Sequence, residues 1–168
     1  MLRHTARRAT NSTIRRVILC GIVVGALSTL LVSCSSYTEL SRAIDQAESL
    51  AEENPNKALE IISNIDKSQL RSNEIKARYA LIYSEVSYYN RMLVNSDSLT
   101  RIAVAYYDKS NHHHERARAY FQHGMTLQLA GALPEAILAL REAHNSLDKY
   151  KDNRLEGVVY RLEGDIYR

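Results

Sequence analysis

Residues 117–148 read ARAYFQHGMTLQLAGALPEAILALREAHNSLD, and their spacing predicts two helices joined by a tight turn. Tyr120, Gly124 and Leu127 recur at helical intervals in the first half, and Ala136, Leu140 and Ala143 do so in the second. Gly131 is a helix stop signal, and Pro134 falls where the first turn of a new helix tolerates proline. Two amphipathic helices of this length cannot bury their apolar stripes alone, so they need neighbours on either side.

The same spacing runs outward in both directions. Helix 1 is expected over Leu40–Glu53, with Leu40, Ala43, Ile44, Ala47 and Leu50 on one stripe. Asn54-Pro55 supplies a cap and a first helical proline for helix 2, which runs to about Asp66 with Ala58, Ile61, Ile62 and Ile65 inward. Ser72 caps helix 3, which reaches about Met92. Asn95-Ser96-Asp97-Ser98 caps helix 4, ending near Asp108. Helix 5 covers about Glu115–Ala130, helix 6 about Pro134–Tyr150, and helix 7 about Asn153–Arg168, where Leu155, Val158, Val159, Leu162 and Ile166 share a stripe. Tyr79, Tyr120 and Tyr160 stand 41 and 40 residues apart. Val86, Leu127 and Tyr167 follow them by seven, and Gly124 and Gly164 share the 40-residue offset. A fixed period of helix pairs marks a solenoid. The expected fold is therefore all-α: an antiparallel helix-pair solenoid of about seven helices, following an N-terminal signal helix. Short connections make successive helices antiparallel.

Composition agrees. The chain has 168 residues, 45% of them apolar, with only 6 Gly and 2 Pro, which leaves little punctuation for an all-β fold. The formal charge of +3 comes from the beginning of the chain. Arg3, Arg7, Arg8, Arg15 and Arg16 precede the first apolar run and no acid does. Without residues 1–33, 17 basic groups face 19 acidic ones, a balance of −2. The body has no basic stripe for nucleic acid.

Met1–Arg16 followed by the uncharged Val17–Ser33 has the layout of a secretory signal. Leu31-Val32-Ser33-Cys34 resembles the bacterial lipobox. The resemblance implies a signal peptide over residues 1–33, cleavage before Cys34, lipidation of Cys34, and a tether over residues 34–39. An uncleaved signal anchor is the other reading: seventeen residues at about 1.5 Å each fall slightly short of a bilayer core of roughly 30 Å. Both put the arginines in the cytoplasm and the body outside it. Ser35 rather than Asp follows the cysteine, which tilts the expected location to the outer membrane. Cys20 lies in the apolar run and the chain has no other cysteine besides Cys34, so the body is expected to fold without disulfides.

Residues 117–148 resemble a tetratricopeptide repeat through Tyr120, Gly124, Leu127, Gly131, Leu133, Ala136, Leu140 and Ala143, in the pattern's positions without a gap. His123 departs from it, because the family has a large apolar residue there. In the family the small residues at positions such as Gly124 and Ala136 let two helix backbones come close. Residues 74–108 and 153–168 fit more loosely, and 40–66 fit as a degenerate first pair. The order of lipobox, NPNKALEIISNID, SDSLTRIAVAYYD and the clear repeat is similar to a group of Gram-negative repeat lipoproteins. Some longer members of that group continue into a transmembrane helix and a cytoplasmic regulatory output. The glycines of helix 7, Gly157 and Gly164, together with Tyr160 and Tyr167, suit a further helix packed beyond it. A fragment or truncated reading frame is thus expected.

The resemblance implies a concave groove lined by the first helix of each pair. Its positions carry over to Arg118, Phe121, Met125 and Gln128, and to Val158, Arg161, Asp165 and Arg168. The expected function is a membrane-anchored scaffold that binds a peptide or protein in that groove, with Phe121 and Met125 as apolar anchors. The alternative is the sensory input of a longer envelope regulator. No catalytic or cofactor motif is recognisable, and neither a cofactor nor a metal is expected. His112-His113-His114-Glu115 is tempting as a metal site, but consecutive residues diverge, and a solvated loop is the expectation. His123 is expected to face the core between helices 5 and 6, either as a satisfied core residue or as a pH-sensitive packing element. The eleven tyrosines are expected to be mostly core with their hydroxyls at a rim.

Overall fold

In α3 (Asn73–Tyr89) and α5 (His113–Leu129), side chains are buried all round rather than along one stripe. These two helices are the middle of the structure, and the others are laid against them. The structure, a computed structural model, describes residues 37–92 and 96–168. The signal segment and Cys34 lie outside the described residues. Leu40–Arg168 form one compact unit, and its secondary structure is all helical among the described residues. The tether read over residues 34–39 is helical from residue 37, and this helix runs to residue 50. Its part from Leu40 onward is α1. Then come α2 (Pro55–Ser63), a short 3-10 turn at Lys67–Gln69, α3, α4 (Ser98–Tyr107), α5, α6 (Leu133–Leu147) and α7 (Asn153–Ile166).

Local chemistry sets the ends. The Asn54 side chain accepts from the Lys57 backbone N–H, and Pro55 follows at the first helical position. Ser72 accepts from the Ile75 N–H at 3.1 Å. Asp152 accepts from the N–H groups of Arg154 and Leu155. Each side chain satisfies a backbone donor that the helix itself leaves unpaired. α2 is shorter than its apolar spacing predicts: it stops at Ser63, because the Asp66 carboxylate starts the separate 3-10 turn by accepting from the Ser68 N–H. α5 begins two residues before the expected Glu115, which brings His113 and His114 into its first turn.

α3 and α5 end alike. Gly131 has φ +78°, and the Ala132 N–H reaches back to the Leu127 carbonyl at 2.9 Å. Forty residues earlier Arg91 has φ 54°, and the Met92 N–H reaches the Ser87 carbonyl at 2.9 Å. Both are Schellman closures around a left-handed residue. Arginine carries a Cβ penalty there that glycine does not, and this closure ends helix 3 before the expected Met92.

Every consecutive pair of helices from α2 to α7 packs together, and α5 also touches both α3 and α7. Gly124 of α5 lies against Ala136 and Leu140 of α6, while Arg116 reaches Glu142. Contacts that widen on both sides of the Ala130–Ala132 connection mean that α6 runs back along α5. A Cβ added to Gly124 would sit 2.9 Å from Leu140 Cδ2 and 3.3 Å from the Ala136 carbonyl oxygen. The same atom on Gly157 or Gly164 would meet nothing within 4 Å. Val159 is the one buried residue of α7, and Tyr160 and Tyr167 are 59% and 77% exposed. Of the tyrosines, Tyr79 and Tyr107 are fully core. Tyr120 is half-buried and donates its hydroxyl to Asp108.

The contrast among glycines is testable by thermal unfolding of the full-length chain. Gly124→Ala should destabilise by about 1–2 kcal/mol, because crowding exceeds the helix-propensity gain. Gly164→Ala, with open space around it, should stabilise by up to about 1 kcal/mol. Equal effects at the two sites would show that the close approach at Gly124 is not real.

Candidate functional site

α1, α3, α5 and α7 line a cleft of about 530 Å³, and residues of α3, α5 and α7 with Arg91 and Met92 line an adjoining one of about 560 Å³. They share Tyr88, Phe121, Val158 and Arg161 as common walls. Volumes of this size lie in the range of ligand sites. The second cleft is mainly apolar, with Met92, Leu129 and Leu162 beside the shared residues. Tyr88 stands edge-on to Phe121, with ring centroids 6.0 Å apart and planes at 87°.

Of the eight groove positions read from the sequence, Phe121, Met125, Gln128, Val158, Arg161 and Asp165 all line this second cleft. They come from two helices that the 40-residue period aligns. Arg118 lines only the first cleft. Arg168 lines neither; its guanidinium is exposed and pairs with Asp165 at 3.3 Å. Tyr88, Arg91, Met92, Leu129 and Leu162 also line the second cleft and are not among those positions. The α3 repeat fits the family pattern too loosely to carry groove positions across, although Tyr88 stands one turn after Ser84 on the same helix as the period-marking Tyr79.

Arg118 is occupied within the chain. Its Nε and Nη2 donate to the two carboxylate oxygens of Glu85 at 2.7 and 2.5 Å, and Nη1 pairs with Glu48 at 2.7 Å. The bidentate match is a geometry that arginine supplies and lysine does not. Glu85 is 8% exposed. Burial alone would lower the Arg118 pKa, but the charges of Glu85 and Glu48 raise it above its ordinary value. Arg118 thus joins α5 to α3 and α1, so the guanidinium expected to meet a partner in the groove is taken up within the chain.

The cleft rim has similar ties. Tyr89 donates to Glu52 at 2.7 Å, and Arg154 of α7 pairs with the same carboxylate. Both contacts hold Glu52 below the usual carboxylate range. Arg161 donates to the Tyr88 hydroxyl at 3.3 Å. His114 Nε2 meets Asp152 at 3.1 Å, and its ring stacks on Tyr150 with centroids 4.5 Å apart. The expectation of a solvated histidine loop is therefore corrected: His112 is exposed, but His113 and His114 are half-buried in α5. The correction follows from the earlier start of the helix. Among the described residues no group of three or more His, Cys, Asp or Glu could hold a metal, and no helix is long and apolar enough to cross a membrane.

His123 also departs from its expected place. It is half-buried and faces α4, where Nδ1 lies 3.0 Å from Thr100 Oγ1. One residue from Gly124 is about 100° around the helix, so it turns away from α6. Burial lowers its pKa below the ordinary imidazole value; the Asp97 charge opposes this and Arg101 adds to it.

Two outcomes follow. Arg118→Met should cost about 3–5 kcal/mol by leaving Glu85 buried and unpaired, and adding Glu85→Leu should recover much of that loss; a double variant no more stable than the single one would contradict the account. For His123, the neutral ring contributes its full stabilisation above the unfolded-state value of about 6.5. That contribution is lost as pH falls through the lower folded-state value. The wild-type Tm should therefore drop further between about pH 7 and pH 5 than that of His123→Gln, and parallel curves would remove the effect. Comparison of the chain with known protein families, curated sequences and solved structures gives no match to any of them.

Proposed function

We propose that Leu40–Arg168 is a tetratricopeptide-type stack of antiparallel helix pairs that holds a peptide or protein partner in the clefts of its inner face. On this reading α1, α3, α5 and α7 are the first helices of successive pairs. The observation that carries it is the apolar cleft lined from α5 and α7 by Phe121, Met125, Gln128, Val158, Arg161 and Asp165. Contacts of α5 with α3 and α7 support the serial arrangement, as do the matching closures at Arg91 and Gly131. So does the tight crossing at Gly124. Binding would rest on shape, with Phe121 and Met125 as apolar anchors in a cleft rimmed by charge. The lipobox-like Leu31–Cys34 supports a location in the cell envelope, the module facing away from the cytoplasm and anchored through lipidated Cys34, with the outer membrane favoured.

A photo-crosslinking residue at Met125 of the full-length chain should capture a partner in membranes of the native host, and the same residue at Leu138, exposed on α6, should not. Met125→Lys should weaken capture about tenfold or more with little change in Tm. Equal capture from both positions would dispose of the cleft as the binding surface. Separately, metabolic labelling with an alkyne fatty acid should tag the full-length chain and leave Cys34→Ala untagged; no label on the wild type, or equal label on both, would rule out lipid anchoring at Cys34.

A further inference from the structure

The first cleft is more acidic than its internal pairing can neutralise. Its walls carry five carboxylates against three guanidiniums, with His114 beside one of the carboxylates, Asp152. Arg118 serves both Glu85 and Glu48, which leaves one negative charge over between them. Glu53, exposed on the wall, has no ion-pair partner among the described residues. An independent observation concerns Gln122, which lines the same cleft and is 4% exposed. Its Oε1 is buried and has no hydrogen-bond partner. Each nitrogen of Arg118, one turn away on α5, meets a carboxylate and none bonds Gln122. A buried acceptor without a donor destabilises a fold, and a methionine would fill the position without that defect. Its presence points to a donor that comes from outside the chain.

Resting on the peptide-cleft reading above, we infer that the first cleft receives a lysine or arginine side chain of the partner segment. The cation lies among Glu48, Glu53 and Glu85 and donates to Gln122 Oε1, the whole amide swinging into the cleft by a change of rotamer. A large apolar side chain of the same segment packs in the adjoining cleft on Phe121 and Met125. Gln122 and Met125 are separated by about 4.5 Å along α5, the step of one to two residues in an extended chain. The recognised pattern is therefore a basic residue with an apolar one next to it or one further along. An acidic side chain at the first position meets uncompensated like charge, which selects against it.

Three otherwise identical labelled peptides, carrying Lys-Ala-Phe, Gln-Ala-Phe or Glu-Ala-Phe at their centre, serve as probes for fluorescence polarisation with the full-length chain. The Lys peptide should bind about tenfold tighter than the Glu peptide, with the Gln peptide between. Glu53→Lys should narrow or reverse that order. Gln122→Met should raise the Tm and weaken the Lys peptide several-fold, a combination that a purely structural glutamine would not produce. Equal binding of the three peptides, or unchanged Lys-peptide binding in Gln122→Met, overturns the inference. If none of the three binds while Met125 still captures a partner, the basic-residue pocket falls and the cleft reading stands; if capture also fails, both fall.

Discussion

A guanidinium withdrawn from water is tolerated only where carboxylates meet it, and Arg118 meets that condition on two other helices at once. Glu85 approaches from α3 and Glu48 from α1. Sliding α5 by one turn against either would strand a charge at the centre of the inner face. Apolar packing alone would permit several registers, since one Ala or Leu contact resembles another. The ion cluster does not, so the alignment of α1, α3 and α5, and with it the walls of both clefts, depends on this contact.

Away from that centre the balance of forces changes. α3 and α5 are buried on nearly all sides, so apolar burial holds them together in the register that Arg118 selects. α7 fully buries only Val159; Leu155, Val158, Leu162 and Ile166 pack half-buried against the same core, and polar ties add to this: Arg154 to Glu52, Arg161 to Tyr88, His114 to the capping Asp152, and His144 to Glu163. Three of these four lie on the cleft side. The wall contributed by α7 thus rests on half-buried apolar contacts and on directional ties near water, each worth little alone, while α3 and α5 are more deeply packed.

Much of this was legible in residue order. Helix existence, the caps at Asn54 and Ser72, the stop at Gly131 and the close approach at Gly124 depend on residues a few positions apart or on a single small side chain. Local propensity therefore carries them. The errors have a common cause. Arg91 closes α3 in a conformation that glycine marks in sequence and arginine does not. His114 reads as part of a polar loop until Asp152, 38 positions on, is placed beside it. Arg118 reads as a surface cation until its two carboxylates arrive from elsewhere.

By itself, then, the sequence determined the helical character of the body, its period, its principal caps and the apolar stripes that force the helices together, because these are properties of neighbours along the chain. Which charge would be buried, which way His123 would turn, and that Gln122 would sit in the cleft wall with an empty acceptor were decided only by the tertiary structure. Those outcomes depend on residues far apart in the chain, 23 positions for His123 with Thr100 and 33 for Arg118 with Glu85, and helical periodicity is equally satisfied whichever of them meet.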